Sequence, residues 1–384
     1  MIIIIKPTYA CNFACKYCYL SNDTKTPNYC ASLEFIKNAL LQIRDVLIPT
    51  DKKVSTILWH GGEPLLWGYN NFKHIFRFIE EVFDGYNYQQ SIQTNLSLIN
   101  QDFIELFKKY RVSVGFSLDG TKAIHDSQRV DKSGRGTFDL ILNKYFLCKD
   151  NGINPGCIVV ATKKHIGKIA ELYKYMSSNG IDFKLNPIFC AGEAKTNDDD
   201  FGLTPSEYAQ MSIELFDLWY NDKSRQINNP KFVDIASAIF TGQTSLCVFS
   251  SNCQENVFAI SPYGEVFPCG RFCDNSLKQY SFGSITDEPL SDILTRRKES
   301  EIYKREYFIN NSDCKNCKYF SICHGGCLHD GYLVNKDFKT KSFLCEAYKI
   351  VFPHIESVIY QDKALFETAL NGPISPSSTL YKKG

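Results

Sequence analysis

Short β-rich runs alternate with amphipathic stretches through the first half of the chain. The runs at 2–6, 55–60, 89–95, 112–117, 157–162 and 182–188 have the length and the branched or aromatic content of strands. Between them apolar residues recur every three or four positions. Leu33, Ile36, Leu40, Ile43 and Leu47 form one such stripe, and Phe72, Ile75, Phe76, Ile79 and Val82 another. Six strand–helix repeats of this kind imply an α/β fold with a parallel sheet. The sixth ends in a well-marked helix, with Thr204 as N-cap, Pro205 in the first turn and Glu207 closing a capping box, expected to run to about Tyr220.

Residues 221–230 are polar and turn-rich, and beyond them the alternation stops and cysteines become dense. The pattern divides the chain into a strand–helix region at 1–220, a linker at 221–245, a cysteine-rich region at 246–350, and a C-terminal helix with a flexible tail at 351–384. One hairpin is expected in the cysteine-rich region, at 257–261 and 265–268 around Pro262, Tyr263 and Gly264.

Composition narrows the class without naming a partner. With 44% hydrophobic residues, 22% charged residues and a formal net charge of +1, the chain has neither a basic footprint for nucleic acid nor an acidic tail. The apolar opening at 1–5 is cut off by Lys6 and Pro7, too short for a membrane span or a signal peptide, so a cytoplasmic protein is expected. Sixteen cysteines in such a chain point to metal rather than to a disulfide framework.

Three of them, Cys11, Cys15 and Cys18, follow the first strand as CxxxCxxC. Three thiolates so close together can hold three irons of a 4Fe-4S cube and leave the fourth iron open. On spacing alone a structural zinc loop or unrelated core cysteines remain alternatives. With Tyr17 before the last Cys, the run resembles the cluster motif of the radical S-adenosylmethionine (SAM) superfamily. That resemblance implies a partial (β/α)6 TIM-like barrel, with SAM chelating the open iron and a 5'-deoxyadenosyl radical taking hydrogen from substrate. It also implies a SAM site. Gly61-Gly62-Glu63-Pro64, preceded by His60, is similar to the family's GGEP segment, in which Glu63 would meet the SAM ammonium. Ser117 and Asp119 resemble ribose-contacting positions, and Arg129 resembles the residue facing the SAM carboxylate. Gln93-Thr94-Asn95 matches the family's QTN pattern, with Leu96 where a glycine often follows.

Eight further cysteines run Cys247, Cys253, Cys269, Cys314, Cys317, Cys323, Cys327 and Cys345, and the segment 314–327 has the form CxxCx5CxxxC. This resembles the SPASM domain of radical SAM enzymes that act on peptides and proteins. The resemblance implies two fully ligated 4Fe-4S clusters, an inner one on Cys247, Cys253, Cys269 and Cys327 and an outer one on Cys314, Cys317, Cys323 and Cys345. A pair of zinc ribbons, serving a non-catalytic scaffold, is the alternative. Of the remaining cysteines, Cys30, Cys148 and Cys157 read as structural, and Cys190 and Cys273 carry no assigned role.

Together the two regions resemble the anaerobic sulfatase-maturing enzymes and their relatives that modify ribosomally made peptides. Sulfatase maturases place a catalytic Asp directly after the third auxiliary cysteine, where this chain has Gly270. Asp274 is the nearby substitute for that base. The missing carboxylate favours a maturase that installs a carbon-carbon or ether crosslink in a precursor peptide, as in peptide antibiotic biosynthesis, over formylglycine formation. A flavodoxin- or ferredoxin-like protein is the expected electron donor.

Overall fold

The computed structural model describes residues 1–25, 28–47, 54–224 and 227–361. One eight-stranded sheet organises it, in the order β6-β5-β4-β3-β2-β1-β7-β8. The first six strands are β1 (Ile2–Ile5), β2 (Ser55–Trp59), β3 (Tyr88–Gln93), β4 (Val112–Ser117), β5 (Gly156–Ala161) and β6 (Phe183–Pro187). Each pairs in parallel with its sequence neighbour. The helices between them are α1 (Leu33–Val46), α2 (Tyr69–Val82), α3 (Gln101–Lys109), α4 (Phe138–Asp150) and α5 (Ile169–Ser178). The apolar stripes expected from the sequence are their buried faces: Ile36, Leu40 and Ile43 on α1, and Phe72, Ile75, Phe76 and Ile79 on α2.

After β6 come α6 (Pro205–Asn221) and α7 (Pro230–Thr241). The capping box of α6 is present, with Thr204 and Glu207 each bonding the other's backbone. The polar stretch read as part of a linker therefore ends sooner than expected, because Asn229 caps a helix that Pro230 opens and that buries Phe232, Ile235, Ala236 and Ala238. Gly242, at φ 68°, closes it in the left-handed conformation. Farther on lie α8 (Arg305–Asn310), α9 (Leu328–Asn335) and α10 (Cys345–Gln361), and α10 packs against α6 and α7. The tail expected at the C-terminus falls beyond residue 361, outside the described residues. Among the described residues no helix is long and apolar enough to cross a membrane.

The expected hairpin forms β7 (Val257–Ile260) and β8 (Val266–Phe267), but it is not confined to the cysteine-rich region. β7 lies in parallel beside β1, with Ile2 opposite Val257 and Ile5 opposite Ile260, so the sheet continues across the sequence gap. β1 is thus an interior strand with apolar residues on both faces. Ile3 and Ile5 join the main core with α1 and α2, whereas Ile4 joins a second cluster with Tyr9, Val257, Ala259, Phe267 and Phe272. The carboxyl ends of β1 and β7 lie side by side; the loop after β1 carries Cys11, Cys15 and Cys18, and Cys269 follows β8.

Candidate active site and cysteine sets

The Cys11–Cys18 loop leaves β1 and is strapped to the segment after β4. Ala14 N–H donates to Val130 O at 2.8 Å and Lys16 N–H to Gln128 O at 2.9 Å. Burial pushes the Cys11 thiol up to about 12, with Glu63, Cys15 and Cys18 adding to it, and pushes Cys15 up to about 11, with Cys18 adding. Cys11 and Cys15, held protonated by burial, would give up their protons to a cationic group bound between them and Cys18. Asn95 Nδ2 lies 3.9 Å from the Cys11 sulfur and donates to Asn12 Oδ1 at 2.8 Å, fixing the loop from its other side.

The GGEP segment packs on this loop. A Cβ on Gly61 would meet Thr8 O at 2.2 Å, and one on Gly62 would meet Tyr9 O at 2.2 Å, so both positions exclude any side chain. Here the close approach that the glycines permit is to the backbone leading into the cysteines. Glu63 is fully buried and accepts from Leu65 N–H (3.0 Å), Thr94 Oγ1 (2.7 Å) and Asn95 N–H (2.6 Å), while Pro64 begins the short helical turn it caps. Burial nevertheless lifts its carboxyl to about 7, and among the described residues no cation pairs with it. A cation brought beside this carboxyl would favour its ionised form. Leu96 adopts φ 69°, the conformation a glycine would take freely. This costs about 1–2 kcal/mol, and full burial of the side chain offsets it by about 2 kcal/mol. His60 stays neutral, its pKa lowered by burial to about 4, with its Nδ1 accepting from Gly61 N–H.

Asp119 is the buried hub beside the loop. Its oxygens accept from Tyr17 OH, Gln128 Nε2 (2.9 Å), Arg129 Nε (2.9 Å) and Val160 N–H (3.1 Å). The carboxylate expected at the ribose thus also places its neighbours. Arg129 lies 5.3 Å over the Tyr17 ring, with Cys15 among its charged neighbours and its Nη groups making no hydrogen bond to the described residues. Ser117 receives Gln93 Nε2 at 3.4 Å. The structure therefore gathers Tyr17, Glu63, Asn95, Asp119 and Arg129 around the three cysteines.

The other eight cysteines separate by proximity into two sets. Burial raises Cys247, and Cys253, Cys327 and Cys269 raise it further. Cys253 and Cys327 each feel Cys269. Burial likewise lifts Cys323 to about 12, with Cys345, Cys314 and Cys317 contributing. Among the described residues no group of three or more His, Cys, Asp or Glu side chains is placed to hold a single metal ion.

Gly270 sits on β1, where a Cβ would come 3.1 Å from Ile4 Cδ1. Asp274 caps the turn at Asn275–Tyr280, and its oxygens accept from Ser21 N–H (2.9 Å), Ser276 N–H (2.9 Å) and both serine hydroxyls. Its carboxylate is a structural tie, not an open base. Four side chains near here were missed from the sequence. Lys6 is buried against Gly270 and Cys273, and half-buried Arg271 pairs with buried Asp330 at 2.6 Å. Arg271 also lies 4.4 Å over the Phe189 ring, and His329 is wedged edge-on between Phe189 and Phe272. The only signal available was that Arg271 follows Cys269-Gly270 and that His329-Asp330 follow Cys327. Cys273 donates or accepts with Tyr9 OH at 3.2 Å and Cys190 donates to Asp198 at 2.7 Å, local roles for the two unassigned thiols.

Comparison with known proteins follows this geometry closely. The model of the radical SAM superfamily matches residues 5–176, and that of an iron-sulfur cluster-binding domain, SPASM, matches residues 242–318. The cysteine-type anaerobic sulfatase-maturating enzyme of Clostridium novyi is 28% identical, over 94% of this chain and 97% of its own. Its counterpart from Clostridium perfringens is 27% identical, over 92% and 95%. Among solved structures, anSMEcpe with bound AdoMet and a Cp18Cys peptide aligns with a TM-score of 0.82 at 22% identity, over 96% of this chain and 99% of that one. SuiB of Streptococcus suis, bound to its precursor peptide SuiA, is more distant, with a TM-score of 0.61 at 17% identity, over 90% and 75%. These findings correct the crosslinking reaction, and with it peptide antibiotic biosynthesis, that Gly270 had favoured. The relatives aligned over nearly their whole length are sulfatase-maturating enzymes, and one glycine does not outweigh that extent of similarity.

The hub has a pH signature. His125 is fully buried, with Nδ1 accepting from Asp119 N–H at 3.3 Å and Nε2 3.0 Å from Thr137 Oγ1, and burial lowers its pKa to about 4. Its folded pKa lies below the unfolded value, so the unfolded chain takes up the proton first, and stability falls as pH drops from about 6.5 toward 4. At the limit the loss is on the order of 3 kcal/mol. Denaturant melts of metal-free protein should show this fall, and His125→Gln should make it shallower. An unchanged slope would remove His125 from the account.

Proposed function

The chain belongs to the radical SAM superfamily, with a SPASM domain after its barrel, and on that premise we propose that it is an anaerobic sulfatase-maturing enzyme of the cysteine type. The observation that carries this reading is the likeness to the two clostridial maturating enzymes over more than nine-tenths of the chain. The substrate is then a sulfatase-like peptide whose cysteine side chain becomes the aldehyde of formylglycine. Loss of one hydrogen atom from Cβ, of the thiol proton to solvent, and of one further electron, which the auxiliary clusters would accept, gives a thioaldehyde, and water exchanges its sulfur for oxygen with release of hydrogen sulfide.

SAM and its 4Fe-4S cluster supply, when bound, the one-electron chemistry that draws a hydrogen atom from the substrate carbon. Cys11, Cys15 and Cys18 would hold three irons, Glu63 the SAM ammonium and Arg129 the SAM carboxylate. Asp119 keeps Arg129 and Tyr17 in place. Thr94 and Asn95 hold Glu63 from the adjoining strand end. Gly270, backed by Ile4 and held through its carbonyl by Lys6, offers no carboxylate, so the reaction here runs without a side-chain base at that position. A flavodoxin- or ferredoxin-like donor and a cytoplasmic location go with this reading.

Anaerobically reconstituted enzyme, given SAM, reductant and a cysteine-containing sulfatase peptide, should yield a product that has exchanged its thiol for an aldehyde and is trapped by a hydrazine probe. A product lighter by hydrogens alone, with its sulfur kept in a thioether, would contradict the reading. Glu63→Gln should weaken SAM binding roughly tenfold to a hundredfold by equilibrium dialysis, the worth of one charge-assisted hydrogen bond. Unchanged affinity would remove Glu63 from the SAM site.

A further inference from the structure

Arg305 opens α8 and is 6% exposed, yet no carboxylate among the described residues pairs with it. One terminal nitrogen reaches Gly325 O at 3.3 Å and Thr340 O at 3.4 Å, both long contacts, and Nε has no partner at all. A cation in that position costs several kcal/mol unless something anionic faces it. Arg271, by contrast, has Asp330 at 2.6 Å.

Cysteines of both sets lie near Arg305. It lines a cavity with Cys247 and Cys253 of the inner set. Its partner Gly325 is the midpoint of 323–327, the segment that carries an outer ligand at one end and an inner ligand at the other. α8 also packs on the turn bearing Cys314. Burial pushes the guanidinium's pKa down, and the thiols that push it back are Cys327 and Cys253 of one set and Cys314 and Cys323 of the other.

We propose that Arg305 is a positioning residue shared by the two auxiliary clusters, a buried cation whose charge sets both reduction potentials. A cluster held by four thiolates is anionic and becomes more so on reduction, so a nearby guanidinium favours the reduced state. Lying between two such clusters, it favours both. The proposal rests on the two-cluster assignment and not on formylglycine formation, so either can fail alone.

The test uses full-length protein in which Cys11, Cys15 and Cys18 are all replaced by Ala, leaving only the auxiliary clusters to be titrated by electron paramagnetic resonance. Arg305→Gln should shift both midpoint potentials downward, and Arg305→Lys should shift them less. Arg297→Gln is the control, an equally buried arginine whose charged neighbour is Glu255, and it should leave both potentials in place. Unchanged potentials in Arg305→Gln, or a shift of one cluster alone, would overturn the proposal. If the Gln variant fails to retain iron, the Lys variant decides: a downward shift supports the proposal, and wild-type potentials or loss of iron overturn it.

Discussion

Lys6 is a cation with no water around it, and its needs fix the relation between the two halves of the chemistry. It stands at the end of β1, fully buried, with Nζ donating to Cys273 O at 2.7 Å, Gly270 O at 2.9 Å and Tyr19 OH at 3.3 Å. Those acceptors match the three N–H bonds of an ammonium. Burial alone would lower its pKa, but Tyr19 and Cys273 hold it above the usual lysine value. Tyr19 follows Cys18 of the first loop, and Gly270 and Cys273 flank the inner-set loop. One side chain therefore ties the open cysteine site to the closed one. The parallel pairing of β1 with β7 sets the same relation at the level of the sheet.

Around that tie the chain places its other buried charges in pairs or hubs. Asp119 holds Arg129, and Asp330 holds Arg271. Glu63, Arg297 and Arg305 are the exceptions among the described residues, a buried carboxyl without a cation and two buried cations without a paired carboxylate. Glu63 lies near Cys11, and Arg305 lines a cavity with Cys247 and Cys253.

Much of this was legible in the sequence because its signals are local. CxxxCxxC, GGEP and the capping box at Thr204 each lie within eight residues. The strand–helix alternation is a repeated local pattern, and its six strands fall within two residues of expectation at either end. What stayed hidden depends on contacts far apart in sequence. The β1–β7 pairing joins residues about 255 positions apart. The Arg271–Asp330 pair and the contacts of Lys6 have no spacing rule. α7 was absorbed into a linker because the polar run before it masked the Asn229-Pro230 start signal. Gly270 misled for a related reason, since a missing side chain says what one position lacks and nothing about how the surroundings have adapted. Here Ile4 Cδ1 occupies the adjacent space.

The central claim is that three cysteines form one open cluster site and eight form two closed ones. Iron and sulfide analysis with Mössbauer spectroscopy on anaerobically purified protein tests it directly. The account predicts about twelve iron per chain in the native protein and about eight when Cys11, Cys15 and Cys18 are replaced by Ala, with all remaining iron in 4Fe-4S form. Zinc in place of iron, or a triple variant that keeps all its iron or loses all of it, would contradict the account.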